Sequence, residues 1–211
     1  MIFNEILNSL PERCKKVLTI DIDQVDILDG LSKERTLYCL FTSEGKERKL
    51  LDVSSKFFQK IGKEKLPFGD GEFDLVIGEE MFSHVVSLPG AFAEFRRLLK
   101  DQGLIITVEP NIQYIEFLFN LVDNKWEEVL ESISSTQCHY FFTMKSFLRC
   151  AQDNGFRVEG CYPIEMGNAD VFPRNQEGYI VQGRYKLGPL SNEEYIKFLT
   201  KRFVVVLSKS G

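Results

Sequence analysis

No apolar run of about 18 residues occurs in the chain, so no segment reads as a membrane-spanning helix. The opening stretch MIFNEILNSLPERCKK breaks its apolar residues with acids and does not read as a signal peptide. Histidine is scarce. His84 and His139 are the two present, and neither stands in a metal-ligand spacing such as H-E-x-x-H. The five cysteines, Cys14, Cys39, Cys138, Cys150 and Cys161, are odd in number and far apart, with no C-x-x-C pair. Free thiols in a reducing cytoplasm are expected from that pattern, and neither a disulfide framework nor a zinc site. The glycine fingerprint G-x-G-x-x-G is also missing, which argues against a nicotinamide oxidoreductase. A net charge of −5, with lysines and arginines interleaved among acids, offers no basic face for nucleic acid.

What is present suits one soluble domain. The 211 residues are 44% hydrophobic and 27% charged, enough to bury a sizeable core. Strand-like apolar runs alternate with helical ones, the pattern of an α/β fold with a mainly parallel sheet. Strands are expected at Val17–Ile22, Thr36–Thr42, Phe57–Ile61, Phe73–Gly78, Leu104–Glu109, Phe156–Tyr162 and Phe203–Leu207. Ala91–Leu99 carries Phe92, Phe95, Leu98 and Leu99 at helical offsets, with Lys100–Gly103 as its stop. Met144–Asn154 repeats the design, with Thr143 as N-cap and Gly155 as terminator. Two regions are irregular. Ile112–Ser134 is amphipathic and follows the fifth strand, where α/β sheets build sites, and a connection spans about 163–200.

Residues 66–111 read LPFGDGEFDLVIGEEMFSHVVSLPGAFAEFRRLLKDQGLIITVEPN. This resembles the middle of a class I S-adenosylmethionine-dependent methyltransferase of the small-molecule type 11 kind. In such proteins LPF-x-DGxFDxV-xxxE-xxxHV leads into a helix and then a (V)LKPGGxLxxxxPN turn and strand. Leu66, Pro67, Phe68, Asp70, Gly71, Phe73, Asp74, Glu80, His84 and Val85 fall in step, as do Leu98–Lys100, Gly103, Pro110 and Asn111. His139–Phe156, HYFFTMKSFLRCAQDNGF, resembles the segment before the sixth strand. The resemblance implies one domain over 1–211 with a Rossmann-like, doubly wound, seven-stranded sheet, mostly parallel with an antiparallel C-terminal strand. It implies a helical lid-like insertion around 112–138, in which Tyr114, Phe117 and Trp126 enclose a small-molecule acceptor. S-adenosylmethionine is the implied cofactor. The acceptor, the pathway and the oligomeric state are left open.

The resemblance also points to three cofactor contacts, and the chain departs from each. An acid-x-Gly-x-Gly turn is expected after the first strand, but KVLTIDIDQVDILDGL has no glycine before Gly30. With Asp21 as the acid, Ile22, Asp23, Gln24 and Val25 follow, and a β-carbon on each crowds the ligand. The acid that would accept the ribose hydroxyls falls late, at Glu44, and the one that would read the adenine falls at Glu64. Candidate cofactor residues are therefore Asp21, Asp23, Glu44, Glu64, Glu79 and Glu80. His84 and His139 are the candidate catalytic residues, each set against a structural role as a packed, hydrogen-bonded histidine. Asp21, Asp23 and Asp26 stand at i, i+2, i+5 but lack the mid-loop glycine and final glutamate of a calcium loop, so no metal site is expected. Two functions follow from these readings. One is methyl transfer with weakened or altered cofactor binding; the other is a catalytically inactive protein that uses the fold for binding or assembly.

Overall fold

The computed structural model describes residues 2–22, 25–41, 56–58, 65–133 and 138–210. Their centre is a seven-stranded sheet in the order β3-β2-β1-β4-β5-β9-β6. It is formed by β1 (Lys16–Ile20), β2 (Thr36–Phe41), β3 (Lys56–Phe58), β4 (Phe73–Glu79), β5 (Leu99–Pro110), β6 (Phe156–Met166) and β9 (Thr200–Lys209). The first five in spatial order run parallel, and β9 is antiparallel to both β5 and β6. The doubly wound sheet with an antiparallel last strand is the one expected from the sequence.

Alternation along the strands divides the core. Leu18, Ile20, Val76, Phe203 and Val205 face α3 (Leu88–Leu98) and α6 (Met144–Asp153), whose Phe92, Phe95 and Phe147 are fully buried. Val17, Leu75, Ile77 and Val204 face the other way, against Leu28 and Leu31 of α2 (Val25–Ser32) and Ile6 of α1 (Ile2–Asn8). Asp26 and Asp29 fall within α2. Thr143 caps α6 as expected, in a reciprocal capping box with Ser146, and Gly155 ends the helix at φ +80°. Asp74, the second residue of β4, braces the start of that strand, accepting from the amides of Lys15 and Lys16 and from Lys100 Nζ.

Three expectations change. Helix α3 stops at Leu98, and Lys100–Gly103 lies inside β5, because Leu99 is buried and already pairs with Phe73. Pro163 does not begin a connection: it sits within β6, paired with Phe203. The rest of that stretch holds a hairpin, β7 (Ile180–Gln182) with β8 (Tyr185–Leu187), and the capped helix α7 (Asn192–Leu199). The Ile112–Ser134 stretch contains α4 (Ile115–Val122) and α5 (Trp126–Ser132). These pieces build their own cluster, in which Tyr114, Ile115, Phe117, Val129 and Ile133 pack with Phe172, Ile180 and Leu199. Among the described residues no helix is long and apolar enough to cross a membrane.

Candidate functional site

β1, β4 and β5 are parallel, so their C-terminal ends open on one edge of the sheet. Each of the two central strands ends on an acid in a glycine-like conformation. Asp21 follows β1 at φ +53°, and Glu80 follows β4 at φ +51°. Aspartate enters this region more readily than most side chains, whereas glutamate is strained there, at a cost on the order of 1–3 kcal/mol, and such strain concentrates at functional sites. Backbone bonds hold both residues there: Asp21 N–H donates to Leu40 O at 2.9 Å and Glu80 N–H to Val108 O at 2.7 Å. The glycine-type turn thus falls on Asp21 itself, before Asp23. Gly78 offers no ligand cradle, because a β-carbon there would stand 2.9 Å from both Ile20 O and Met81 Sδ.

The turn after Glu80 is fixed from beneath and from the side. The Phe82 ring lies 4.4 Å from Phe92 and 5.4 Å from Phe95 and Phe147, centre to centre, and Met81 is fully buried. The Glu109 carboxylate, at the end of β5, accepts from Phe82 N–H at 3.1 Å, Ser83 Oγ at 2.7 Å and Thr107 Oγ1 at 2.7 Å. Burial pushes its pKa up to about 7 despite those three donors, and the neighbouring Glu80 adds to the rise. Ser83 O in turn accepts from the amides of His139 and Tyr140, so one turn sets the course of the chain at both histidines.

Arg202, at the start of β9 and opposite Pro110, joins the acids. Its Nη2 lies 3.2 Å from Glu80 Oε1 and 3.4 Å from Glu79 Oε2. His84 Nε2 stands 3.8 Å from Glu80 Oε2, as the i, i+4 spacing suggests. Beside this group is a cavity of about 190 Å³, lined by Glu80, Phe117, Ile133, Glu165, Lys201 and Arg202 among others.

The structure therefore brings Glu79, Glu80 and His84 together beside the turn at Asp21. His139 is exposed, tied to the turn by its backbone amide. Asp23, Glu44 and Glu64 lie outside the described residues. Of the three aromatic residues expected to enclose an acceptor, Phe117 lines the cavity. Tyr114 is buried edge-on against Phe117 in the outer cluster, and Trp126 packs on Phe141 at the surface, outside that cluster. Among the described residues no group of histidine, cysteine, aspartate or glutamate side chains has the arrangement of a metal site. All five cysteines are free thiols. Sequence reasoning missed Glu109, Ser83 and Arg202. Glu109 directly precedes Pro110-Asn111 of the matched segment, which was a usable signal; Arg202 enters through strand register and carries none.

Comparison with known proteins agrees with this architecture. The profile of a family described as a methyltransferase domain matches residues 7–160. A malonyl-[acyl-carrier protein] O-methyltransferase of Geobacter sulfurreducens is 28% identical over 126 residues, covering 56% of this chain and 46% of that one. The chain thus spans less than half the length of that relative. A SAM-dependent methyltransferase of Archaeoglobus fulgidus superposes with a TM-score of 0.68 at 12% identity, covering 99% of this chain and 91% of the other. An S-adenosylmethionine-dependent methyltransferase of Mesorhizobium loti gives 0.61 at 14% identity, covering 97% and 96%. A methyltransferase solved with the Haloferax volcanii Trm112 activator gives 0.62 at 17% identity, covering 99% and 89%. The family match extends over most of the sequence and the shared fold over nearly all of it: the chain belongs to the class I S-adenosylmethionine-dependent methyltransferase family.

Proposed function

We propose that the protein transfers a methyl group from S-adenosylmethionine to a small-molecule acceptor at the C-terminal edge of β1, β4 and β5. The observation that carries this reading is the pair of acids, Asp21 and Glu80, held in left-handed backbone conformations at the ends of adjacent central strands. Strain of that kind persists where the surrounding structure fixes it, and it gathers at ligand sites. The donor chemistry fits the cofactor. Asp21, Glu79 and Glu80 supply carboxylate acceptors for an ammonium group and for hydroxyls, with Asp21 itself in a left-handed conformation. Asp23, Glu44 and Glu64 are proposed to complete the set. Bound there, S-adenosylmethionine supplies a methyl group on a positively charged sulfur.

The protein's own part is placement. Phe82 and Glu109 fix the turn that carries Glu80 and His84, and α4 with α5 is proposed to cover the acceptor side as a lid. Rigid placement of an acceptor in line with a methyl group supplies much of the rate in such a reaction. His84, coupled to Glu80, is proposed to receive or direct a proton at Nε2, with His139 at the rim.

A second reading, a binding or assembly protein without activity, is favoured by one feature. The Ile22 side chain is buried where a glycine-rich turn would leave open backbone, and such crowding weakens cofactor binding. Titration calorimetry separates the two. Methyl transfer requires measurable heat with S-adenosylmethionine and with its demethylated product; no heat at millimolar ligand would sink it.

A further inference from the structure

Glu109 lies sealed from solvent, bonded to the turn that follows Glu80. Its Oε1 accepts from Phe82 N–H and Thr107 Oγ1, and its Oε2 accepts from Ser83 Oγ. The amide can only donate, but a hydroxyl can turn. Ser83 has a second hydrogen-bond neighbour, the Cys138 thiol, which itself donates to Tyr140 O at 3.2 Å. An ionised Glu109 therefore keeps the Ser83 hydroxyl facing it. Protonated on Oε2, the acid donates to Ser83 Oγ instead, and the Ser83 proton turns to the Cys138 sulfur. The same charge is coupled to the acids above it. Burial pushes the Glu109 pKa up to about 7, and the like charge of Glu80 contributes to the rise. Glu80 and Cys138 are the titratable groups coupled to it, and Glu80 is tied in turn to His84 and Arg202. The thiol stays protonated at neutral pH, because burial pushes its pKa up to about 11. A cation bound at Glu80 offsets the repulsion and favours ionised Glu109. By reciprocity, ionised Glu109 favours the cation.

We propose that Glu109 is a positioning residue and a proton-linked switch for the cofactor: ionised, it holds Ser83 and favours positively charged S-adenosylmethionine; protonated, it gives Ser83 to Cys138 and the edge holds the cofactor less tightly. The assignment rests on the methyl-transfer reading above and deepens it. The Glu109 proton passes to solvent as the cofactor binds and returns as it leaves. S-adenosylhomocysteine lacks the sulfonium charge, so the ionised edge distinguishes methyl donor from demethylated product.

Titration calorimetry in pairs of buffers with different ionisation enthalpies reads affinity and proton release together. S-adenosylmethionine is expected to bind about sixfold more tightly at about pH 7.5 than at about pH 5.5, the ratio given by a fall of about one unit in the Glu109 pKa on binding. The same fall releases about half a proton near pH 6.5. S-adenosylhomocysteine is expected to show a smaller rise. Glu109→Gln fixes the neutral arrangement, its amide donating to Ser83 Oγ, and is expected to lose both the rise and the proton release. Ser83→Ala takes one donor from the carboxylate and is expected to move the rise to higher pH. A flat wild-type profile, an equal rise with S-adenosylhomocysteine, a rise that persists in E109Q, or one that stays in place in S83A would each overturn the assignment. The first two comparisons use the wild-type chain, so they stand even if E109Q fails to fold. Binding that ignores pH overturns this assignment alone, whereas no binding of either ligand at any pH overturns the methyl-transfer reading and the switch with it.

Discussion

Two apolar assemblies meet at the site, and they are built in different ways. The main core sits between the sheet and helices α3 and α6, and its central portion, β4–α3–β5, is contiguous from Phe73 to Pro110. The outer cluster gathers Tyr114, Phe117 and Ile133 from α4 and α5, Phe172 and Ile180 from the hairpin region, and Leu199 from α7. The first fixes Glu80, His84 and Glu109. The second contributes Phe117 and Ile133 to the cavity, while Lys201 and Arg202 reach it from the strand that joins the two. The proposed methyl transfer would use the two for separate duties, the sheet to hold the cofactor and the outer cluster to shape what lies beside it.

The largest expected effect breaks the first assembly. Phe82→Ala removes a fully buried ring packed on three others, and is expected to cost about 3–5 kcal/mol in urea unfolding. Phe117→Ala, equally buried but in the outer cluster, is expected to raise hydrogen exchange in α4, α5 and the hairpin while leaving the amides of β1, β4 and β5 protected. Loss of protection throughout would show that the two assemblies unfold as one.

Glu109 gives the next effect. Its pKa in the folded protein is about 7, against an ordinary 4.5, so the folded state holds the proton more tightly than the unfolded chain. That contribution is present in full below about pH 4.5 and is lost as pH rises to about 7, by at most roughly 3 kcal/mol. Glu109→Gln, which cannot titrate, is expected to flatten stability across this window. Persistence of the slope in E109Q would assign it to another group.

Asn111 joins the assemblies. Its Nδ2 donates to Lys197 O at 3.0 Å and Thr200 O at 2.8 Å, and its Oδ1 accepts from Gln113 N–H at 3.2 Å. Asn111→Ala strands those groups and is expected to cost about 1–3 kcal/mol. Thr143→Ala, which removes the cap of α6 without touching the Asn111 side-chain bonds, is expected to cost only about 1 kcal/mol. A reversed order of these two would deny Asn111 its joining role.

How much of this was legible follows the same division. The stretch from Leu66 to Asn111 announces itself because its strands, turn and amphipathic helix are local and in order, and the matched motif lies on them. Lys100–Gly103 misled, since a glycine after a polar run reads as a helix stop; only the pairing of Leu99 with Phe73 shows that the strand has begun. The outer cluster was hidden. The strands of its hairpin have three residues each, too few to show alternation, although Ser191 and Glu194 form a capping box that the sequence displays. Glu109 looks like an ordinary polar strand end until the central position of β5 buries it. Arg202 reaches the acids through an antiparallel register, which no local pattern encodes.

The central claim, that the edge where β1, β4 and β5 end binds the cofactor, is tested most directly by amide NMR during a titration with S-adenosylhomocysteine. The account predicts saturable shifts concentrated at residues 19–22, 78–84 and 107–111. Shifts confined to other parts of the chain, or none at millimolar ligand, would contradict it.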